Sequence, residues 1–279
     1  MAERVQAGTM TSDTASAGSR ETIETSRDGY VARVTLDRPE AMNTFSTQLA
    51  VDLDAALHEL DEDDGVRAIV VDGAGDAFSA GIDVSEHADH ETEAEYTEWV
   101  ARMEEPFHTI PEMRTPVIAA AHGHAAANGL GLVAACDVAV AAEGTMFGAT
   151  APKVGLFCMG PSVPLMHTLT RKRTLEMILT GDLVDAETAE DWGILNRVVP
   201  SGEHVEAAME IADTIASKSP MAVQLGKRAF YDMTEMDYHD AIDYSNEQFA
   251  GLCTTADARE GIEAFLAGDP LEYDEWPAE

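Results

Sequence analysis

Apolar positions change period along the chain, and each change marks an element. Residues 30–36 (YVARVTL) predict a strand, broken by Arg38 and Pro39 before residues 43–46 offer a helix cap. Leu49, Leu53, Leu57 and Leu60 then recur at helical spacing, so one face of that helix packs on a sheet and the charged run 59–64 ends it. Residues 68–71 and 117–121 are short continuous apolar runs, each leading into a glycine-rich loop, at 73–81 and 123–131. A further unit runs from 138–142 through Phe147, and residues 196–199 supply a last short strand. From 205 to 266 the pattern is helical, with Pro220, Gly226 and the Thr254-Thr255 pair as punctuation. The pattern predicts an α/β core followed by helices, and no fixed repeat suggests a solenoid.

Composition narrows this picture. A chain of 279 residues can bury a full core. Its 52 acidic residues against 17 basic ones give a net charge of −35, spread from Glu3 to Glu279. With 45% hydrophobic residues in periodic runs, this is a folded protein with an acidic surface rather than a disordered chain. The lysines are only Lys153, Lys172, Lys218 and Lys227, the other basic residues being arginines, which fits a protein adapted to high salt. Such a surface repels nucleic-acid backbones and anionic lipid, so no nucleic acid and no membrane is expected among its partners. Cys136, Cys158 and Cys253 cannot all pair and lack metal-ligand spacing, which predicts no metal site and a reducing, cytoplasmic location. Residues 1–20 have neither the apolar core of a signal peptide nor the basic character of a transit peptide, and read as a flexible tail.

The two loops share a physical design. AFSAGID (77–83) and AAANGLGL (125–132) both follow strands and consist of small residues, which let a ligand approach the main chain closely. One reading makes the amides of Ile82 and Asn128 an oxyanion hole. The other makes these loops two tight strand-to-helix turns and nothing more.

Several stretches, in order along nearly the whole chain after the tail, resemble the enoyl-CoA hydratase/isomerase (crotonase) superfamily. They are LDRPEAMN (36–43), VRAIVVDGAGDAFSAGID (66–83), the loop ending in ACD (135–137) and TGDLVDAETAEDWGILNRVVP (180–200). VGLFCMGPSVPL (154–165) and EGIEAFL (260–266) are similar to the branch called enoyl-CoA hydratase domain-containing protein. The resemblance implies a tail over 1–24, a spiral core of ββα units over 25–200, and a C-terminal helical trimerisation domain over 201–279, assembled as a homotrimer or a hexamer built as a dimer of trimers. It implies an acyl-CoA substrate whose thioester oxygen meets the Ile82 and Asn128 amides, and no cofactor beyond the coenzyme A that the substrate carries. It places the Ala80 carbonyl at the adenine, Ala41 and Met42 along the nucleotide, and Gly81, Asp83 and Gly129 in the substrate-binding set. Glu40 and the Gly268-Asp269 pair stand where relatives often carry basic residues, so the usual phosphate contacts are missing.

The resemblance also exposes a gap. Hydration of a 2-enoyl thioester needs a water held between two glutamates. At the positions where the superfamily carries them, this chain has Gly131 and Ala151. Between Thr115 and Thr170 the only acidic residues are Asp137 and Glu143, a depletion that a buried core also explains. Acid/base work would then fall to a side chain on the rim, with His124 as the named candidate and Asp83, Glu86 and His87 behind it. Each has a structural alternative: Asp83 and Asp137 as hydrogen-bond formers, His87 and His90 as solvated surface, and His124 as a satisfied loop histidine. Cys158 has no adjacent basic partner and reads as packing. Three readings stay open: an acyl-CoA enzyme of hydratase/isomerase type, a non-catalytic acyl-CoA-binding or scaffolding homologue, and, against the charge, an RNA-binding protein.

Overall fold

In the computed structural model, which describes residues 20–271 and Tyr273, the chain enters its sheet earlier than the hydrophobic pattern suggests. β1 (Ile23–Asp28) turns at Gly29 into β2 (Val31–Leu36), and the two pair antiparallel with Ile23 opposite Leu36. Ile23 is buried there, so the ordered core begins two residues inside the tail expected over 1–24; the rest of that tail, residues 1–19, lies outside the described residues. β1 alternates buried with exposed positions as an edge strand does, but its sequence IETSRD is too polar to have announced itself.

Ser46 caps α1 (Thr47–Glu62) by accepting from the Leu49 amide, and Leu49, Leu53 and Leu57 are fully buried beneath it, as the spacing predicts. β3 (Ala68–Gly73) follows. α2 (Glu93–Glu112) comes next, a helix that the hydrophobic pattern did not reveal. Its first turns are crowded with glutamates and its interior holds Pro106 and Pro111, yet Thr92 and Glu95 close a reciprocal capping box at its start. The chain then runs through β4 (Val117–Ala121), β5 (His124–Ala126), α3 (Asn128–Ala135), β6 (Val138–Ala142), β7 (Met146–Gly148), α4 (Met159–Thr168), α5 (Arg171–Thr180), β8 (Val184–Asp185), α6 (Ala186–Trp192) and β9 (Arg197–Val199).

The main sheet has six strands in the order β1-β2-β3-β4-β6-β9, parallel beyond the first hairpin, and a small second sheet holds β5-β7-β8. A long strand, a short strand of the second layer and a helix thus repeat as ββα units, most plainly in β4–β5–α3 and β6–β7–α4. Isolated bridges between Phe45 and Ile82 and between Ser79 and Ala125 extend the second layer through the first glycine-rich loop.

Both faces of the main sheet are covered, which is why its strands read as continuous apolar runs. Ile69, Val71, Val117, Ala119, Ala139 and Ala141 face α1 to α6, whereas Val31, Ala68, Val70, Ile118, Ala120 and Val140 face Ala207, Ala208, Ala212 and Ala216 of α7 (His204–Ala216). α8 (Pro220–Thr234) starts at Pro220 as expected, but Gly226 lies inside it, and the break falls instead before α9 (Tyr238–Leu252). α10 (Ala256–Ala267) is capped by Thr255. α9 and α10 bury none of their residues, and Tyr238, Phe249, Phe265 and Leu266 stand exposed. Among the described residues no helix is long and apolar enough to cross a membrane.

Candidate active site

The two small-residue loops meet. Ser79 N donates to His124 O (3.0 Å) and Ala126 N to Ser79 O (2.9 Å), which zips the first loop onto β5. Glycine is required where they touch: a Cβ on Gly81 would lie 2.8 Å from Ala127 Cβ, and one on Gly129 would run into the Ser79 backbone. Around the contact the amides are used one after another, Ala80 N on Met42 O (3.0 Å), Asp83 N on Phe45 O (2.9 Å) and Ala127 N on Gly148 O (2.9 Å). Others are passed over, Gly129 N and Leu130 N among them, as the first turn of a helix leaves its amides. Among the described residues neither Ile82 N nor Asn128 N donates to a protein acceptor, although their loops pack on one another.

Asn128 opens α3, so its amide has no partner in the preceding turn and sits at the positive end of the helix. The residue before it, Ala127, holds φ 46° and ψ −114°, a conformation that costs a non-glycine residue about 1–3 kcal/mol and belongs at sites where backbone direction matters. The Asn128 side chain is turned away, its Nδ2 donating to Met103 O of α2 at 3.4 Å, which leaves the amide as the group this residue offers at the turn.

The flank expected to meet the nucleotide is a tight turn. Pro39–Ala41 form a 3-10 turn, Met42 follows in the left-handed region (φ 51°) with its side chain exposed, and the Ala80 carbonyl accepts no hydrogen bond among the described residues. Asp83 is different. One of its oxygens takes the Ser85 amide and hydroxyl and the other takes Arg38 (3.0 Å), contacts that together hold its carboxyl below the usual range. Both oxygens are engaged in shaping the loop, so Asp83 braces the Ile82 turn.

Known proteins resemble the chain over most of its length. Residues 26–275 match the family model described as enoyl-CoA hydratase/isomerase. The chain belongs to the enoyl-CoA hydratase/isomerase family. It is 35% identical to the human mitochondrial enoyl-CoA hydratase domain-containing protein 3 over 260 residues, 91% of this chain and 85% of that one. The crystal structure of that human protein superimposes with a TM-score of 0.87 at 31% identity, covering 91% of this chain and 100% of the other. An enoyl-CoA hydratase structure from Mycobacterium smegmatis gives 0.88 at 35% identity, with 91% and 99% covered. The fold is thus the crotonase spiral with a C-terminal helical region.

Against this family background the two glutamate positions differ in kind. Gly131 is buried, and a Cβ there would lie 2.6 Å from Phe107 Cζ and 3.1 Å from Pro161 Cα, so α2 and α4 have closed over the space a side chain would need. Ala151 starts a 3-10 turn and packs partly against the core. Yet a carboxylate does approach this wall. Glu104, one helical turn before Phe107 on α2, is half-buried with its carboxylate against Gly160, where any Cβ would overlap it. Burial pushes its carboxyl up, with His108 opposing the shift weakly. Glu104, Phe107 and Gly160 all line a cavity of about 1320 Å³ between α2, α3, α4 and α8. Glu104 lies in a run of acidic residues on a helix that the hydrophobic pattern did not reveal.

The remaining candidates have other employment. His124 is exposed at the start of β5 with no hydrogen-bond partner on its ring among the described residues, so nothing orients it for proton transfer. Glu86 accepts from the Thr47 amide and hydroxyl and from Trp99 Nε1 (3.1 Å), tying the loop to α1 and α2. His87 and His90 pack on Tyr96 and Trp99. Asp137 accepts from Val117 N, Lys227 Nζ (2.8 Å) and Tyr231 OH (2.9 Å), a structural post between sheet and α8. Cys158 is buried at the start of α4 and its thiol is pushed up by that burial, as a packing residue's should be.

Proposed function

We propose that this protein binds acyl-CoA thioesters and activates them for hydratase/isomerase-type chemistry by directing the Ile82 and Asn128 amides at the thioester oxygen. The observation that carries this reading is that Ile82 N and Asn128 N, on two loops that pack on one another, donate to no protein acceptor among the described residues. Charge developing on that oxygen would be met by fixed dipoles requiring no reorganisation, a contribution of about 3 kcal/mol per donor. Gly81 and Gly129 allow the approach, and Ala41, Met42 and the Ala80 carbonyl offer the nucleotide flank. The coenzyme A enters with the substrate, and no further cofactor is called for.

A non-catalytic acyl-CoA-binding role is the second reading, and the closed space over Gly131 is the observation in its favour. Turnover and binding separate the two. Asn128→Ala should leave activity nearly unchanged, because the side chain points to α2. Asn128→Pro, which removes the amide, should lower turnover by about 100-fold or more. Equal losses in the two variants, measured on enoyl-CoA esters at molar salt, would overturn the backbone assignment. Binding without any turnover in the parent protein would select the second reading.

A further inference from the structure

We propose that His122 and His204 form a pH-sensitive joint, closed while both rings are neutral, which ties the first glycine-rich loop to the C-terminal helices and opens when a proton enters it. The proposal stands apart from whatever the loops bind.

The two rings meet where the loop, the main sheet and the helical region converge. His122 directly follows β4. Its main-chain oxygen accepts the Phe78 amide (2.9 Å) and its Nε2 donates to the Gly75 carbonyl (2.9 Å), so backbone and ring both hold the loop over 73–81. His204 is the first residue of α7, the helix that covers the second face of the sheet. The ring centroids lie 4.8 Å apart with the planes tilted by 34°. Through this contact the start of α7 rests on the residue that pins the loop leading to Ile82.

Both rings turn a nitrogen inward. A carbonyl can only accept, so the proton of neutral His122 sits on Nε2 and its Nδ1 keeps a bare lone pair. The Nδ1 atoms of His122 and of His204 are buried, and neither has a hydrogen-bond partner among the described residues. An imidazolium carries N–H on both nitrogens. Protonating either ring therefore places a buried donor without an acceptor inside the joint, together with a charge beside the second ring.

The surroundings oppose that charge. Burial pushes the His204 imidazole below its ordinary range, His122 and Arg33 act in the same direction, and Asp72 opposes them. The positive end of α7 adds to the cost of a cation there. Asp72 is itself buried and committed, its Oδ1 accepting from Arg33 Nε (3.1 Å) and the Thr35 hydroxyl (2.7 Å), while Glu24 of β1 also attracts Arg33. At the far end of α7 the sign reverses. Burial and Asp28 raise the Asp213 carboxyl, so acid favours the fold there, and Arg67 donates to Ala216 O (3.2 Å). Acid should loosen the first turn of α7 and leave the last one in place.

The direction of the shift sets the pH window. Above the ordinary imidazole value of about 6.5 the ring is neutral in the open and the closed joint alike, and pH has no effect. Below it the open ring binds a proton that the closed ring refuses. The open fraction then grows about tenfold per pH unit until the lowered value of the closed ring is reached.

The test follows hydrogen exchange of the full chain at molar salt from about pH 7.5 to about pH 5, corrected for intrinsic rates. Protection of the Ala207 amide, which donates to Glu203 O in the first turn of α7, should fall about tenfold per pH unit below about 6.5, whereas the Ser217 amide, on Asp213 O in the last turn, should hold. His204→Phe keeps a ring beside His122 but has no proton site, so protection at Ala207 should stay level across the window. Constant protection at Ala207 in the parent, a slope that survives in His204→Phe, or equal loss at Ala207 and Ser217 would overturn the joint. If His204→Phe does not fold, NMR of the histidine-labelled parent decides: a His204 titration below the ordinary range that tracks the loss at Ala207 supports the proposal, and one at or above that range overturns it.

Discussion

Gly131 shows how one missing side chain can be sealed in by its neighbours. Restoring a glutamate there would drive it into Phe107 and Pro161, and overpacking of this kind costs about 1–3 kcal/mol. Gly131→Glu should therefore lower the urea midpoint and fail to confer hydration, whereas the pair Gly131→Glu with Phe107→Ala should recover part of the lost stability; an unchanged midpoint in the single variant would show the space to be open. Glu104 makes the opposite prediction. Its carboxyl is raised by burial, so folding favours the protonated form: that stability is fully present below the unfolded carboxyl's range and is lost as pH rises through the raised folded value. At neutral pH the charged form works against the fold, with the exposed His108 one turn on as the weak opposing influence. Thermal melts of Glu104→Gln at neutral pH should thus match or exceed the parent, and the gap should close in acid. A glutamate whose charge the fold uses would lose stability on the same change. The meeting of the two loops was legible in advance, because runs of small residues announce close approach. Glu104 was not, since nothing in a run of glutamates distinguishes the one that a helix will turn inward.

Elements are fastened to one another by a few polar posts, and Asp137 is the clearest. It receives Lys227 and Tyr231 of α8 and the Val117 amide of β4, with the Lys227 side chain 6% exposed. Asp137→Asn leaves a largely buried ammonium without its counter-charge, a change worth about 3–5 kcal/mol when a buried pair is broken. Urea unfolding should register that loss, and hydrogen exchange should rise first in α8; uniform protection across the helices would refute the anchoring role. Tyr231 contributes without titrating, because burial and the adjacent Asp137 both push its phenol up, away from ionisation. The strands of the main sheet were readable because both their faces are buried, and α1 because its leucines share one face. Elements at odds with simple periodicity were not: β1 is a polar edge strand, α2 hides its apolar stripe among glutamates and prolines, and Gly226 lies inside α8 because a single glycine weakens a packed helix without ending it.

At the scale of the whole molecule, charge and exposed apolar surface pull in opposite directions. α9 and α10 bury nothing of their own, and Phe249 (69% exposed), Phe265 (82%) and Leu266 (78%) stand in solvent, more apolar surface than helices of a solitary chain normally show. We propose that other copies cover these faces in a homotrimer or a hexamer of two trimers. Each copy carries a net charge of −35, so assembly brings large like charges together. Salt decides the balance: the screening length is roughly 3 Å at 1 M but about 10 Å at 0.1 M, comparable to the spacing of facing surfaces. Hydrophobic burial should therefore win at molar potassium chloride and repulsion should win in dilute buffer. Light scattering should give three or six chain masses at molar salt, with dissociation and then unfolding as salt is removed, and Phe265→Glu with Leu266→Glu should prevent assembly even at molar salt. An assembly of unchanged mass in dilute buffer would refute the adaptation to salt, and a monomer at molar salt would refute the oligomer.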